Sequence, residues 1–337
     1  MVTLPEYAYT TLGDMRICRV LNGLWQVSGA HGAIDPATVL PQMKTYHDAG
    51  FVTWDLADHY GPAEDFIGAF APSLSAAEQG VHHAFTKWVP RPGPMPRRTV
   101  EAAIDRSRQR MRTETLDLLQ FHWWDYNDPG YLDALDHMTA LRDAGKIRHL
   151  ALTNFDTPNL KRIVDHGVRV VSNQVQYSII DQRPSVAMEP YGRAHDVKLL
   201  AYGTLAGGLL TDRFLNQPEP PERALTTASL RKYKRMIDAW GGWSLFQDLL
   251  TALRNIGDAH NVSIANVAVR FVLEQPTVAG VIIGARLGVS EHIAVNARVF
   301  DFTLSEADYA AIAAVTDRSR DLYKIIGDTG DEYRRRW

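Results

Sequence analysis

Eight times along this chain, a short run of β-branched and aromatic residues is followed by a stretch with apolar residues at helical spacing. The runs lie at 20–25, 52–56, 84–88, 116–122, 147–153, 170–177, 198–202 and 278–283. Continuous apolar runs of this length suit strands buried on both faces, and a helix between two of them suits parallel pairing. Helix signals punctuate the gaps. Asp35-Pro36 reads as an N-cap followed by Pro, with a stop at Gly50. Thr99 opens a helix reaching about Met111, a third runs from Tyr131 to Gly145, and Thr157-Pro158 starts one ending at Gly167. Eight strand–helix units specify an α/β fold of the (β/α)8 TIM-barrel type; an open doubly wound sheet is the competing layout.

At about 150 residues per domain, 337 residues would allow two domains, whereas a barrel of this kind uses its length as one. The expectation is therefore a single domain over 1–337. Residues 3–17 would form an N-terminal hairpin closing the barrel bottom. The Pro- and Arg/Lys-rich segment 211–244, with a short helix near 230–239, and the tail after Val315 would border the site.

Charge and apolar patterning narrow the partners. With 36 Lys+Arg against 39 Asp+Glu the formal charge is −3, which offers no electrostatic reason for nucleic acid or an anionic membrane. The most apolar stretch, 264–289, is broken by Arg270, Glu274, Gln275 and Arg286, so it does not read as a membrane span. Cys18 is the only cysteine and cannot form an internal disulfide, and the first residues lack a secretory pattern. A cytoplasmic monomer acting on a small molecule is the expectation.

In barrels, strand carboxyl ends and the loops after them face the site. Asp55 lies next to the end of the second run and Tyr60 follows it; Lys87 lies next to the end of the third and His122 ends the fourth. That set suits proton delivery. A phenol, with a pKa of about 10, is a poor acid near neutrality, and a lysine ammonium beside it would lower that value. Asp55 would hold Lys87 charged, and His122 would orient a carbonyl oxygen. Each residue alone has a plainer reading: a turn or ion-pair partner, a packing tyrosine, a solvated strand end, a satisfied core histidine. Trp25, Trp88, Trp123 and Trp124 lie at or beyond strand ends; Trp25, Trp88 and Trp124 are candidates for an aromatic substrate wall, with Trp123 expected in the core by alternation.

At these residues the chain resembles the aldo-keto reductase superfamily, over nearly its whole length. Asp55-Leu56-Ala57-Asp58-His59-Tyr60-Gly61 is similar to the family's Asp-Thr-Ala-x-x-Tyr-Gly, with Leu56 where Thr is common. The resemblance implies a catalytic tetrad of Asp55, Tyr60, Lys87 and His122, with Tyr60 as general acid and hydride arriving from a nicotinamide. Leu152-Thr153-Asn154-Phe155 and Asn173-Gln174-Val175-Gln176-Tyr177 resemble further family segments, implying Asn154 and Gln174 as carboxamide ligands. The run 201–210 implies Tyr202 stacked on the nicotinamide, with Gly203, Leu205, Gly208 and Leu209 along the pyrophosphate. Gly284, Arg286, His292 and Asn296 match the family's segment for the 2′-phosphate and adenine, an arginine and helix amides suiting a phosphate. Ile283 stands where Pro is common and His292 where Gln is common, with about two extra residues between Arg286 and His292.

No Gly-x-Gly-x-x-Gly fingerprint occurs and no Tyr is followed four residues later by Lys, which disfavours a Rossmann or short-chain dehydrogenase site. No His-x-His or His-Glu-x-x-His is present, so a metal is not expected, and the cofactor that the resemblance implies is NADP(H). Two functions follow from the resemblance. One is an NADP-dependent interconversion of an aldehyde or ketone with its alcohol. The other is a nucleotide-sensing regulatory subunit, like the channel β-subunits of this fold, with little turnover.

Overall fold

A computed structural model describes residues 2–28 and 36–334. Strands β1 (Tyr9–Leu12) and β2 (Met15–Cys18) pair antiparallel as a hairpin. The next eight, β3 (Val20–Gly23), β4 (Thr53–Asp55), β5 (His83–Trp88), β6 (Leu116–His122), β7 (Ile147–Thr153), β8 (Ser172–Gln176), β9 (Lys198–Tyr202) and β10 (Val278–Gly284), form a closed parallel barrel. Each strand pairs with its neighbour in sequence, and β10 closes on β3 with Val281 opposite Val20 and Gly284 opposite Gly23. The fold is a (β/α)8 barrel. Among the described residues, no helix is long and apolar enough to cross a membrane.

Strand alternation layers the barrel interior. At the amino-terminal end, Leu12, Met15 and Ile17 of the hairpin pack with Leu21, Phe85, Leu118, Ala151, Leu200 and Ala279 in one buried apolar cluster. Two residues further along the strands, the same face presents Lys87 after Phe85, Gln120 after Leu118, Thr153 after Ala151 and Tyr202 after Leu200. The interior therefore changes from hydrocarbon to polar in one step along the barrel axis.

Some elements depart from the sequence reading. The first barrel strand stops at Gly23, and Trp25–Ser28 turn as a 3-10 helix. The segment 211–244 holds a full helix, Ala228–Trp240, because the Thr227 side chain caps the Leu230 N–H, and Gly242–Ala259 follows directly. The Asp35 cap, like the last residues of the tail (Arg335, Arg336 and Trp337), lies outside the described residues.

Candidate active site

At the carboxyl end of the barrel, the polar layer is built around one ion pair. Lys87 Nζ donates to Asp55 Oδ2 at 2.6 Å, to Asp55 Oδ1 at 2.8 Å and to the Leu56 carbonyl at 2.9 Å. Both side chains are buried. An isolated buried charge is costly, so the pair forms with its remaining lone pairs satisfied. Asp55 Oδ1 also accepts from Gln120 Nε2 at 2.9 Å and from Gln174 Nε2 at 2.7 Å, and Gln174 Nε2 lies 2.6 Å from Gln120 Oε1. A carboxylate only accepts, so both amide nitrogens must face Asp55. Gln120 had no role in the sequence reading, although it sits on the same face of β6 as His122, two residues away.

Tyr60 lies beside this pair, with Lys87 Nζ 5.2 Å from its ring centroid. The expected lowering of its pKa is not in place. Burial, then the Asp55 charge, hold the Tyr60 phenol well above the usual tyrosine value. The physical reason is visible at Lys87: three acceptors take the three N–H groups of its ammonium, and burial pulls its own pKa down from the ordinary lysine value. His122 is likewise buried, and desolvation, reinforced by the Arg334 charge, lowers its pKa to about 3. It is therefore a neutral imidazole at physiological pH. Its Nε2 and the Thr153 hydroxyl are buried without a hydrogen-bond partner among the described residues.

The aromatic candidates separate into two groups. Trp25 meets Tyr60 edge-on at 5.0 Å and is 36% exposed; Trp124 lies 4.1 Å from the His122 ring and is 41% exposed. These two stand at the mouth. Trp88 does not join them: it is 6% exposed and packs on Phe121 at 5.6 Å in the outer core. Lys87 faces the barrel interior, so its neighbour Trp88 must face the helices. Trp123 is fully buried against Tyr131, as alternation required.

The candidate cofactor residues lie on the next strand ends. Tyr202 Oη donates to Asn154 Oδ1 at 2.8 Å. That bond leaves the Asn154 amide N–H groups, while the Asp55 contact leaves Gln174 Oε1. One donor and one acceptor are what a carboxamide requires, and the unpartnered hydroxyl belongs to Thr153, the residue just before Asn154 and paired opposite Gln174. The residues present fit a nicotinamide.

Beyond Tyr202, Gly203 and Gly208 take left-handed backbone (φ +74° and +99°) around the half-buried Leu205, and a Cβ on Gly208 would meet open space. The Leu209 side chain is fully buried in the core, so only its backbone is available to a ligand.

The 2′-phosphate segment is altered. The helix there is short, Ile293–Ala297, with His292 at its N-cap and Asn296 half-buried. The Ile293 N–H already bonds the Glu291 carboxylate. A helix-end phosphate site is thus occupied by the chain's own acid. Arg286, just beyond Gly284, is exposed; its carbonyl accepts the Val289 and Ser290 N–H groups, while its guanidinium has no ion-pair or hydrogen-bond partner among the described residues. Elsewhere, His47, Asp48 and Glu78 bring ligand-type atoms within 4.8 Å of one another, but the Lys44 ammonium bonds both carboxylates and holds that place.

A parallel eight-stranded barrel with this polar mouth defines the class: a barrel oxidoreductase scaffold. The chain belongs to the aldo/keto reductase family, whose model matches residues 19–317. It is 25% identical to the aldo-keto reductase YhdN of Bacillus subtilis over 82% of this chain and 85% of that protein. It is 29% identical to flagellar radial spoke protein 5 of Chlamydomonas reinhardtii over 48% of this chain, and spans about a third of that protein's length (34%). The solved glycerol dehydrogenase AKR11B4 of Gluconobacter oxydans shares the fold, with a TM-score of 0.75 and 22% identity over 96% of this chain and 98% of that one. The family is one of oxidoreductases that use nicotinamide cofactors.

Proposed function

We propose that this protein is an NADP-dependent reductase of aldehydes or ketones, running also in the direction of alcohol oxidation, with Tyr60 as general acid. The observation that carries the reading is the amide arrangement beside the ion pair. Asn154 is left with donors and Gln174 with an acceptor, next to the Asp55, Lys87, Tyr60 and His122 cluster. When bound, the reduced nicotinamide would supply a hydride to the carbonyl carbon.

Tyr60, held protonated by its surroundings, gives its proton to the oxygen as negative charge builds there. Lys87, whose three N–H groups are taken by Asp55 and Leu56, would act on the resulting phenolate only through the field of its charge. Neutral His122 would donate from Nε2 to orient the same oxygen. Trp25 and Trp124 would flank a cyclic or apolar carbonyl, or a sugar ring stacked on indole. Arg286 supplies the cation for a 2′-phosphate. The test is carbonyl-dependent oxidation of NADPH by the purified protein across a panel of aldehydes, ketones and sugars. Tyr60→Phe is expected to lose at least about a hundredfold in turnover; full turnover in that variant would remove Tyr60 as the acid.

A further inference from the structure

Asn154 has left-handed backbone, φ +57°, a conformation that a non-glycine residue keeps only where its surroundings over-determine it. Most of those surroundings come from the carboxyl-terminal segment. The Asn154 carbonyl accepts from Arg334 Nη1 at 2.7 Å and from Tyr126 Oη at 3.2 Å. The other Arg334 nitrogen, Nη2, donates to the Trp123 carbonyl at 2.5 Å, and the guanidinium lies 4.0 Å from the Tyr126 ring centroid.

The tail backbone passes directly over the loop: a Cβ on Gly330 would come within 2.1 Å of the Asn154 oxygen. The Thr329 hydroxyl donates to the Phe155 carbonyl at 3.2 Å, and the Asp328 carboxylate accepts the Thr157 N–H at 2.8 Å. The Asn154 side chain is held by the same segment. Lys232 Nζ donates to Tyr333 Oη at 2.6 Å, and Tyr333 Oη lies 3.1 Å from Tyr202 Oη. Tyr202 in turn donates to Asn154 Oδ1 at 2.8 Å, with Glu332 Oε1 a more distant acceptor at 3.3 Å.

The tail has its own anchor. Arg183, fully buried, bonds both oxygens of Asp181 at 2.7 and 2.9 Å, Glu332 Oε2 at 3.0 Å and the Asp328 carbonyl at 3.0 Å. A bidentate arginine fork of this kind fixes geometry as well as charge. The tail is therefore a rigid support that meets the candidate carboxamide ligand at its carbonyl, its backbone and, through two hydroxyls, its side chain.

We propose that Arg334 and Tyr333 are positioning residues for the nicotinamide end of the cofactor site, so that the carboxyl-terminal segment, and not the barrel alone, sets the orientation of Asn154. The proposal rests on the nicotinamide reading above. It is tested by equilibrium binding of two probes, followed by tryptophan fluorescence: NADPH, and 2′-phospho-ADP-ribose, which lacks the nicotinamide. Arg334→Ala is expected to weaken NADPH binding roughly tenfold and to leave 2′-phospho-ADP-ribose unchanged. Arg334→Lys, which keeps a donor for the carbonyl, recovers part of the loss. Tyr333→Phe, which removes one hydroxyl and little else, weakens NADPH alone by about threefold. Melting of each variant without nucleotide separates these effects from unfolding, and Tyr333→Phe carries the test if Arg334→Ala does not fold. Equal loss for both probes, or no loss for either, overturns the positioning role. A wild-type protein that binds neither probe overturns the nicotinamide reading itself, and this proposal with it.

Discussion

Gln174 donates its amide N–H to Asp55 Oδ1 at 2.7 Å, on the same carboxylate that binds Lys87. A residue expected to face a cofactor is thereby tied to the ion pair behind it. The carboxylate accepts from Lys87, Gln120 and Gln174 together, so the ion pair and the two amides form one network whose members do not vary independently, with the Tyr60 phenol beside it.

Lys87→Met leaves the buried Asp55 carboxylate without its counter-charge. We expect a loss of about 3 kcal/mol in urea unfolding, together with loss of carbonyl reduction. The double variant Asp55→Asn, Lys87→Met regains most of the stability, since the amide carbonyl still accepts from Gln120 and Gln174, but it does not regain turnover. Recovery of both would show the pair to be structural only.

His82 is buried between Phe70 and His47, with neither ring nitrogen bonded among the described residues. Burial, then the neighbouring His47, lowers its pKa from 6.5 to about 4, with His83 adding to the effect and Asp117 opposing it. The unfolded chain takes up a proton on this group below about pH 6.5 while the folded one does not. The stability it contributes is therefore present above pH 6.5 and lost as pH falls toward 4. At pH 5 the loss is about 2 kcal/mol. His82→Phe should flatten the fall in melting temperature between pH 7 and 5; an unchanged slope would assign that fall to other groups.

Replacing Arg183 with Met strands Asp181 and Glu332, both fully buried. We expect about 3 kcal/mol of destabilisation and faster amide exchange at 328–334, with the barrel strands still protected. Uniform loss of protection throughout the chain would show that the tail does not open separately.

Arg286→Ala removes an exposed cation and should leave melting unchanged. NADPH binding should weaken about tenfold while NADH binding holds. Equal effects on the two nucleotides would remove Arg286 from the phosphate site, where Glu291 already takes the Ile293 amide.

The barrel and the core of the site were legible because both depend on period-two alternation within single strands. Asp55 and His122 end their strands and Lys87 is the last but one of its own, all three on the interior face, as their positions indicate. The same rule, applied one residue further, would have turned Trp88 outward and marked Gln120 as an interior partner. The tail's contacts were not legible. Arg334 meets Asn154 across 180 residues, and no local pattern in either segment encodes that meeting. The direction of the Tyr60 pKa shift was not legible for a related reason: the sequence places Lys87 beside the phenol, whereas the Leu56 carbonyl, a backbone group with no sequence signature, takes its third donor.

The pairing of β10 with β3 joins residues 281 and 20, which are 281 − 20 = 261 positions apart. Until that contact forms, the growing sheet has two bare margins, Val20–Gly23 and Lys198–Tyr202, each offering unpaired backbone groups to any passing strand. During synthesis the ring stays open while most of the protein already exists, and closure waits for nearly the last sixth of the chain. The slowest and most aggregation-exposed stage of folding should therefore be the capture of one short strand, Val278–Gly284, by two edges held ready for it.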